Sequence, residues 1–144
     1  MKLISHRGNI IGPDKDQENK LEYIISALDK GYDVEIDVWC LEFDGFYLGH
    51  DFPQYPVSVE FLKNDSLWCH AKDYNSLNKM ISLDIQCFWH QKDNYTITNT
   101  GIIWTYPGMK VGEKSIVVCP TIEYAKAMRT RHLYGICSDY VGLL

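Results

Sequence analysis

The chain of 144 residues predicts an α/β fold, a miniature TIM-like parallel β/α barrel in which some outer helices are replaced by loops. Three observations lead there. Strand-like apolar runs alternate along most of the length with segments of helical period, which implies parallel strands joined by right-handed crossovers. Seven or eight such strands favour closure into a barrel, with an open doubly wound sheet as the alternative. The connections 91–100 and 107–114 are too short for crossover helices, which need about a dozen residues, and a full barrel of this kind takes about 250.

Each element has a local reason. Lys2 to Ser5 reads as a first strand that delivers His6-Arg7-Gly8 at its carboxyl end, and residues 9–17 form a polar loop containing Gly12 and Pro13. Asn19 and Glu22 have capping-box spacing, and Leu21, Ile24, Ile25 and Leu28 recur at i, i+3, i+4 and i+7. A helix from about Lys20 to Lys30 follows, closed by Gly31. With Asn19 as its cap, Glu18 stands just outside, free to point at a site mouth. From Asp33 to Trp39, Val34, Ile36 and Val38 alternate with Glu35, Asp37 and Trp39, so the latter three share one strand face. Asp44-Gly45 is a hairpin signal. It folds Phe46 to His50 back and places His50 opposite Trp39, diagonal to Asp37.

Residues 52–56 are too rich in proline for a ladder, and Ser58 caps a single helical turn reaching Lys63. Ser66 to Lys72 is a strand with Trp68, His70 and Lys72 on one face. Asp73 caps a second helix with Leu77, Met80 and Ile81 on its apolar stripe. Ile85 to Trp89 is a strand ending on His90, and Gly101 to Tyr106 and Ser115 to Cys119 are two more. Thr121 caps a third helix with Glu123 in its first turn and Arg129, Arg131 and His132 in its last, matching the helix dipole. Leu133 to Cys137 is the final strand and delivers Ser138-Asp139-Tyr140.

A formal charge of -5 and a pI near 5.4 argue against a nucleic-acid or membrane-surface partner, since no basic stripe is present to neutralise phosphates. An anionic partner would have to be bound at one local site. Residues 1–144 read as one domain. The opening Met1-Lys2-Leu3-Ile4 shows neither a signal peptide nor an apolar run of about 18 residues, so the expected location is cytoplasmic. Five cysteines without Cys-x-x-Cys spacing read as reduced, buried small hydrophobes.

The chemistry concentrates where strands end. Glu35 and Asp37, about 7 Å apart along one strand side, can share a cation. His6, His50, His70 and His90 fall at or beside carboxyl ends of strands or of the hairpin arm, the face that carries sites in parallel barrels. His6 and His50 suit general acid-base work because imidazole titrates near neutrality. Arg7 offers a planar fork for phosphate oxygens, and Lys72 adds a second positive contact. Trp89 and Trp104 come late enough in their strands to line the mouth.

His6-Arg7-Gly8, then Glu18-Asn19, then Glu35-x-Asp37, then Asp44-Gly45 leading to His50-Asp51, resembles the glycerophosphodiester phosphodiesterase family in order and spacing over residues 4–51. His70-x-Lys72 and the closing Gly135-Ile136-Cys137-Ser138-Asp139-Tyr140 resemble it more loosely. The resemblance implies a barrel and metal-dependent cleavage of a phosphodiester beside a free hydroxyl, as in lipid metabolism. It implies His6 and His50 as general acid and base, in either assignment, Arg7 and Lys72 as phosphate ligands, and Glu35 and Asp37 as ligands of Mg, Ca or Mn. Glu18 matches an acidic position, with His90, Trp104 and Asp139 as supporting residues. The chain departs from the pattern at His70, which stands where a third acidic metal ligand is expected. A nitrogen ligand there shifts preference toward Mn²⁺ or later metals. A non-catalytic phosphate- or sugar-phosphate-binding domain is the alternative function.

Overall fold

The computed structural model describes residues 1–42 and 44–144. In chain order it contains β1 (Lys2–His6), α1 (Leu21–Asp29), β2 (Asp33–Leu41), β3 (Gly45–Leu48), β4 (Tyr55–Val57), α2 (Val59–Leu62), β5 (Leu67–Ala71), α3 (Tyr74–Ser82), β6 (Cys87–Trp89), β7 (Tyr95–Ile97), β8 (Ile103–Thr105), β9 (Ser115–Cys119), α4 (Ile122–Arg129) and β10 (Gly135–Ser138). A 3-10 turn over Val141–Leu143 closes the chain.

The expected helix-rich parallel barrel is corrected by the pairing. Among the described residues the strands form one mixed ten-stranded sheet in the order β4-β3-β2-β1-β10-β9-β8-β7, with β5 added on β2 and β6 on β5, and four short α-helices accompany it. Neighbours from β6 through β5, β2, β1, β10 and β9 to β8 are parallel, whereas β2–β3, β3–β4 and β7–β8 are antiparallel. Two of the antiparallel strands lay outside the sequence reading. β4 contains Pro56, which a ladder tolerates because β4 pairs with β3 alone and forms an edge. β7 lies within the stretch 91–100 and folds back on β8 through a turn at Gly101, so a hairpin replaces the crossover.

Both sheet faces are covered, which is why β2 is buried along nearly its whole length. Val34, Ile36 and Val38 meet Ile24 and Ala27 of α1 and Met80 of α3, while Val117, Cys119 and Ile136 pack on Ala125 of α4. On the other side Ile4, Trp68, Phe88, Trp104, Ile116 and Cys137 form a second core, and Glu35 and Asp37 project among its strands. Asp73 and Thr121 cap α3 and α4 as the sequence implies, and Gly31 follows α1 with positive φ. Ile81 departs from the expected stripe and lies half exposed. Arg131 and His132 lie beyond the end of α4, and His132 is exposed beside Glu113. All five cysteines are free and buried.

At β6 a side chain does the work of a strand. Asn99 Oδ1 accepts from Cys87 N at 2.8 Å, Asn99 Nδ2 donates to the Ile85 carbonyl at 2.8 Å, and Asn99 N donates to the Cys87 carbonyl at 3.0 Å. Truncation in Asn99→Ala strands one donor and one acceptor of a buried strand, so urea unfolding should show a loss of about 1–2 kcal/mol. An unchanged midpoint would mean that solvent replaces both bonds.

Candidate functional site

The parallel register builds the site. Asp37 is the Cα partner of His70 across β2–β5, and Glu35 is the partner of His6 across β1–β2, so these four side chains share one patch at the strands' carboxyl ends. Glu35 and Asp37 are buried, at 3% and 0% exposure. Oxygens from both and a ring nitrogen of His70 lie within 4.8 Å of one another.

His70 shows what this cluster is suited to hold. Its Nε2 lies 2.9 Å from the His90 carbonyl, and because a carbonyl can only accept, Nε2 carries the proton. Nδ1 then faces Asp37 Oδ1 at 3.2 Å and Glu35 Oε1 at 3.6 Å. Opposite two carboxylates it must either carry a proton or donate its lone pair to a cation. Burial alone would lower the His70 pKa, but Asp37 and Glu35 outweigh it and raise it to about 9. Glu35 Oε2 and Asp37 Oδ1 are buried without a hydrogen-bond donor. Carboxylate oxygens of Glu35 and Asp37 beside an imidazole pinned through its far nitrogen have the donor chemistry of a divalent-metal site.

Asp37 is held from every side. Asn19 Nδ2 donates to its Oδ2 at 2.9 Å, and Asn19 Oδ1 accepts from the Asp37 backbone N at 3.0 Å. Arg7 Nε lies 2.9 Å from Oδ2, and Lys72 Nζ lies 3.4 Å from Oδ1. Burial would raise the Asp37 pKa, but His70, Arg7 and Lys72 hold it far below the usual carboxylate range. Asn19 is therefore not the cap of α1. Lys20 takes that position without a side-chain bond, while Asn19 sits at φ 65 with its amide turned inward. An asparagine before an apolar helix, with an acid three residues on, has the same sequence signature in both roles.

His6 ends β1 with Nδ1 2.8 Å from Asp139 Oδ1 and Nε2 3.8 Å from Glu35 Oε2. Burial opposes its charge, yet the Asp139 hydrogen bond and the Glu35 field leave its pKa raised. Burial likewise opposes charge on Asp139, and the His6 bond leaves its pKa lowered. Arg7 Nη1 meets Glu18 Oε2 at 3.1 Å, so Glu18 braces the arginine.

The sequence reading placed Asn9 in a loop and missed its part in the site. It is fully buried, donates through Nδ2 to Glu18 at 2.9 Å and Asp139 at 2.8 Å, and accepts at Oδ1 from Asp14 N and the Tyr23 hydroxyl. One amide thus ties the partner of Arg7 to the partner of His6. The turn that delivers it needs Gly8, where φ is +96 and a Cβ would lie 2.5 Å from the Tyr23 ring. Its position immediately after His-Arg-Gly was the available signal.

His50 does not sit opposite Trp39. Tyr47 does, and the chain leaves the ladder at Gly49, whose φ of +153 and whose approach to the Phe52 carbonyl exclude a side chain. His50 stands on the following loop, half exposed, with Nδ1 2.7 Å from Asp51 Oδ1. It still reaches the site, lining with Arg7, His70, Lys72, Trp89, His90 and Gln91 a cleft of about 360 Å³. Beneath lies a cavity of about 130 Å³ bounded by His6, Glu35, His70, His90 and Trp104. Trp104 belongs to the core rather than the mouth: it is 4% exposed and stacks on Phe88 at 4.4 Å. Trp68 is likewise core, with its indole N–H on Asp33. His90 contributes its carbonyl to His70 and keeps a buried, unpartnered Nδ1, with a pKa lowered by burial and by His70.

Comparison with protein families, with curated proteins and with solved structures finds no match.

Because His70 Nδ1 must shed its proton to ligate, metal affinity is tied to pH. An unperturbed histidine would lose affinity only below about pH 6.5. With the His70 pKa raised to about 9 by Asp37 and Glu35, apparent Mn²⁺ affinity should instead climb about tenfold per pH unit from neutrality up to that value. Calorimetry in buffers of different ionisation enthalpy should find about one proton released per ion at pH 7. Release of none would remove His70 from the ligand set.

Proposed function

We propose that the protein is a metal-dependent phosphodiesterase acting on a glycerophosphodiester or a related sugar-containing phosphodiester, as the motif order around His6, Glu35 and His50 suggests. The observation that carries this reading is the pair of buried carboxylate oxygens without a hydrogen bond, Asp37 Oδ1 at 3.2 Å from His70 Nδ1 and Glu35 Oε2 at 3.8 Å from His6 Nε2, beside a cleft lined by Arg7, Lys72 and His50.

Glu35, Asp37 and His70 would hold the divalent ion, and an ion there supplies positive charge for a phosphoryl oxygen. Two oxygens and one nitrogen suit Mn²⁺ better than Ca²⁺. The remaining work belongs to side chains. Arg7 and Lys72 bind and orient the phosphate, with Arg7 fixed in place by Glu18. Hydrolysis forms one P–O bond and breaks another. A base takes the proton of the attacking oxygen, and an acid gives one to the departing alkoxide. His6, with Nδ1 held by Asp139, presents Nε2 for one of these transfers, and His50 at the cleft rim serves the other. Asp139 is a positioning residue that fixes the His6 ring and tautomer. Five buried thiols suit a reducing compartment, and we place the protein in the cytoplasm on that ground. Among the described residues no helix is long and apolar enough to cross a membrane.

A phosphate-binding domain without turnover is the second reading. It is favoured by the exposed loop position of His50 and by its bond to Asp51.

Chelation by EDTA should abolish phosphodiester hydrolysis, and activity that survives exhaustive chelation would sink the metal-dependent reading. His6→Ala should lower kcat by about 10²- to 10⁴-fold. In contrast, a protein that binds diesters and never turns them over, with or without His6, is the binding domain.

Asp139→Asn should leave KM within about twofold and lower kcat by about tenfold to a hundredfold, since an amide oxygen can still accept from Asn9 while the charge that fixes the His6 tautomer and raises its pKa is lost. Equal loss in KM and kcat would mean that Asp139 supports the fold rather than the histidine.

A further inference from the structure

Arg7 and His50 form a wall shared by two clefts. One contains Lys72, Trp89 and His90. The other, of about 320 Å³, contains Lys15, Glu18, Asn19, Asp51 and Gln54. A diester whose phosphorus sits against the shared wall has one alcohol on each side.

In the second cleft most polar side chains are already engaged. Arg7 gives Nη1 to Glu18 and Nε to Asp37 and turns its remaining donors to the phosphate at the shared wall, Asn19 is bonded to Asp37 and His50 to Asp51, and Glu18 is also bonded by Asn9. Lys15 and Gln54 are exposed on the cleft wall, and among the described residues neither side chain makes a hydrogen bond or ion pair, Asp14 and Asp16 included. An ammonium offers three donors and no acceptor. The groups it selects are therefore acceptors, and a charged acceptor binds more strongly than a hydroxyl.

We propose that this cleft is a second anion subsite. Lys15, assisted by the Gln54 amide, holds an acidic group on one alcohol of the substrate, so the preferred diester carries a carboxylate or a further phosphate on that arm. The proposal rests on the reading of Arg7 and its neighbours as the phosphate site.

Glycerol 2-phosphate and 2-phosphoglycerate share a skeleton and a phosphate ester and differ by one carboxylate. Their affinities are to be measured by calorimetry at a fixed Mn²⁺ concentration for wild type, Lys15→Met and Gln54→Ala. Chelation of Mn²⁺ by the ligands is common to all three proteins and cancels between them. Wild type should bind 2-phosphoglycerate about five- to tenfold more tightly, and added salt should shrink that margin. Lys15→Met should abolish the preference while changing glycerol 2-phosphate affinity by less than about twofold, and Gln54→Ala should reduce the preference in part. Equal affinities in wild type, or a preference that survives Lys15→Met, overturn the subsite and leave the phosphate site standing. Binding of neither monoester overturns both.

Discussion

A carboxylate with no exposure to water cannot stay ionised unless its surroundings replace the lost hydration. Asp37 is such a group, and much of the chain is arranged to meet its demand. Asn19 binds its backbone N–H and one oxygen, Arg7 reaches it from the end of β1, and His70 and Lys72 reach it from β5 and just beyond. These contributors come from three parts of the sequence, and parallel pairing of β1, β2 and β5 brings the two strand-borne groups to Asp37. Even so, Asp37 Oδ1 has no hydrogen bond. The cage is strong in charge and incomplete in geometry, as expected of a site whose remaining coordination belongs to a ligand.

The second network is built around Asn9 rather than around a charge. By bonding Glu18 and Asp139 together it couples the brace of Arg7 to the brace of His6. An amide suits that junction because it donates twice through one nitrogen and accepts through its oxygen, and here every capacity is used. An aspartate in its place would set a third carboxylate against two others. The phosphate-binding arm and the proton-transfer arm of the proposed site are thus not independent, since one buried side chain sets the distance between them.

What could be read from the sequence follows from how local each signal is. Glu35, Asp37, His70 and Lys72 were placed by strand alternation alone, because a period of two fixes the face once the strand is recognised. His50 was misplaced because its position depends on the register of β2 against β3 and on where Gly49 breaks the ladder, and neither is visible in a hairpin motif. Asn19 was misread because a cap and a buried clamp look alike in sequence. The fold was over-idealised for a related reason. Alternating strands and helices correctly signal parallel pairing, which the central strands show, but say nothing of edge strands such as β4 and β7, which add antiparallel pairs to the sheet. The proline at position 56 argued against a strand only for a central position, and β4 lies at the edge.

Histidine at position 70 acquires a purpose from the charge balance. With His70 protonated, Arg7, Lys72 and His70 carry three positive charges against Glu35, Asp37 and Glu18. A third carboxylate at position 70 would leave the metal-free site with excess negative charge in a buried patch, which burial penalises. Histidine avoids that penalty because it can hold a proton in place of the cation. In the proposed function, exchange of that proton for a divalent ion raises the local charge by one rather than two. The single negative charge of an arriving phosphodiester then restores the balance. A short chain with few outer helices has little apolar scaffold to hold an unbalanced charge cluster in place. A ligand that keeps the patch neutral in both states is the physical solution available to it.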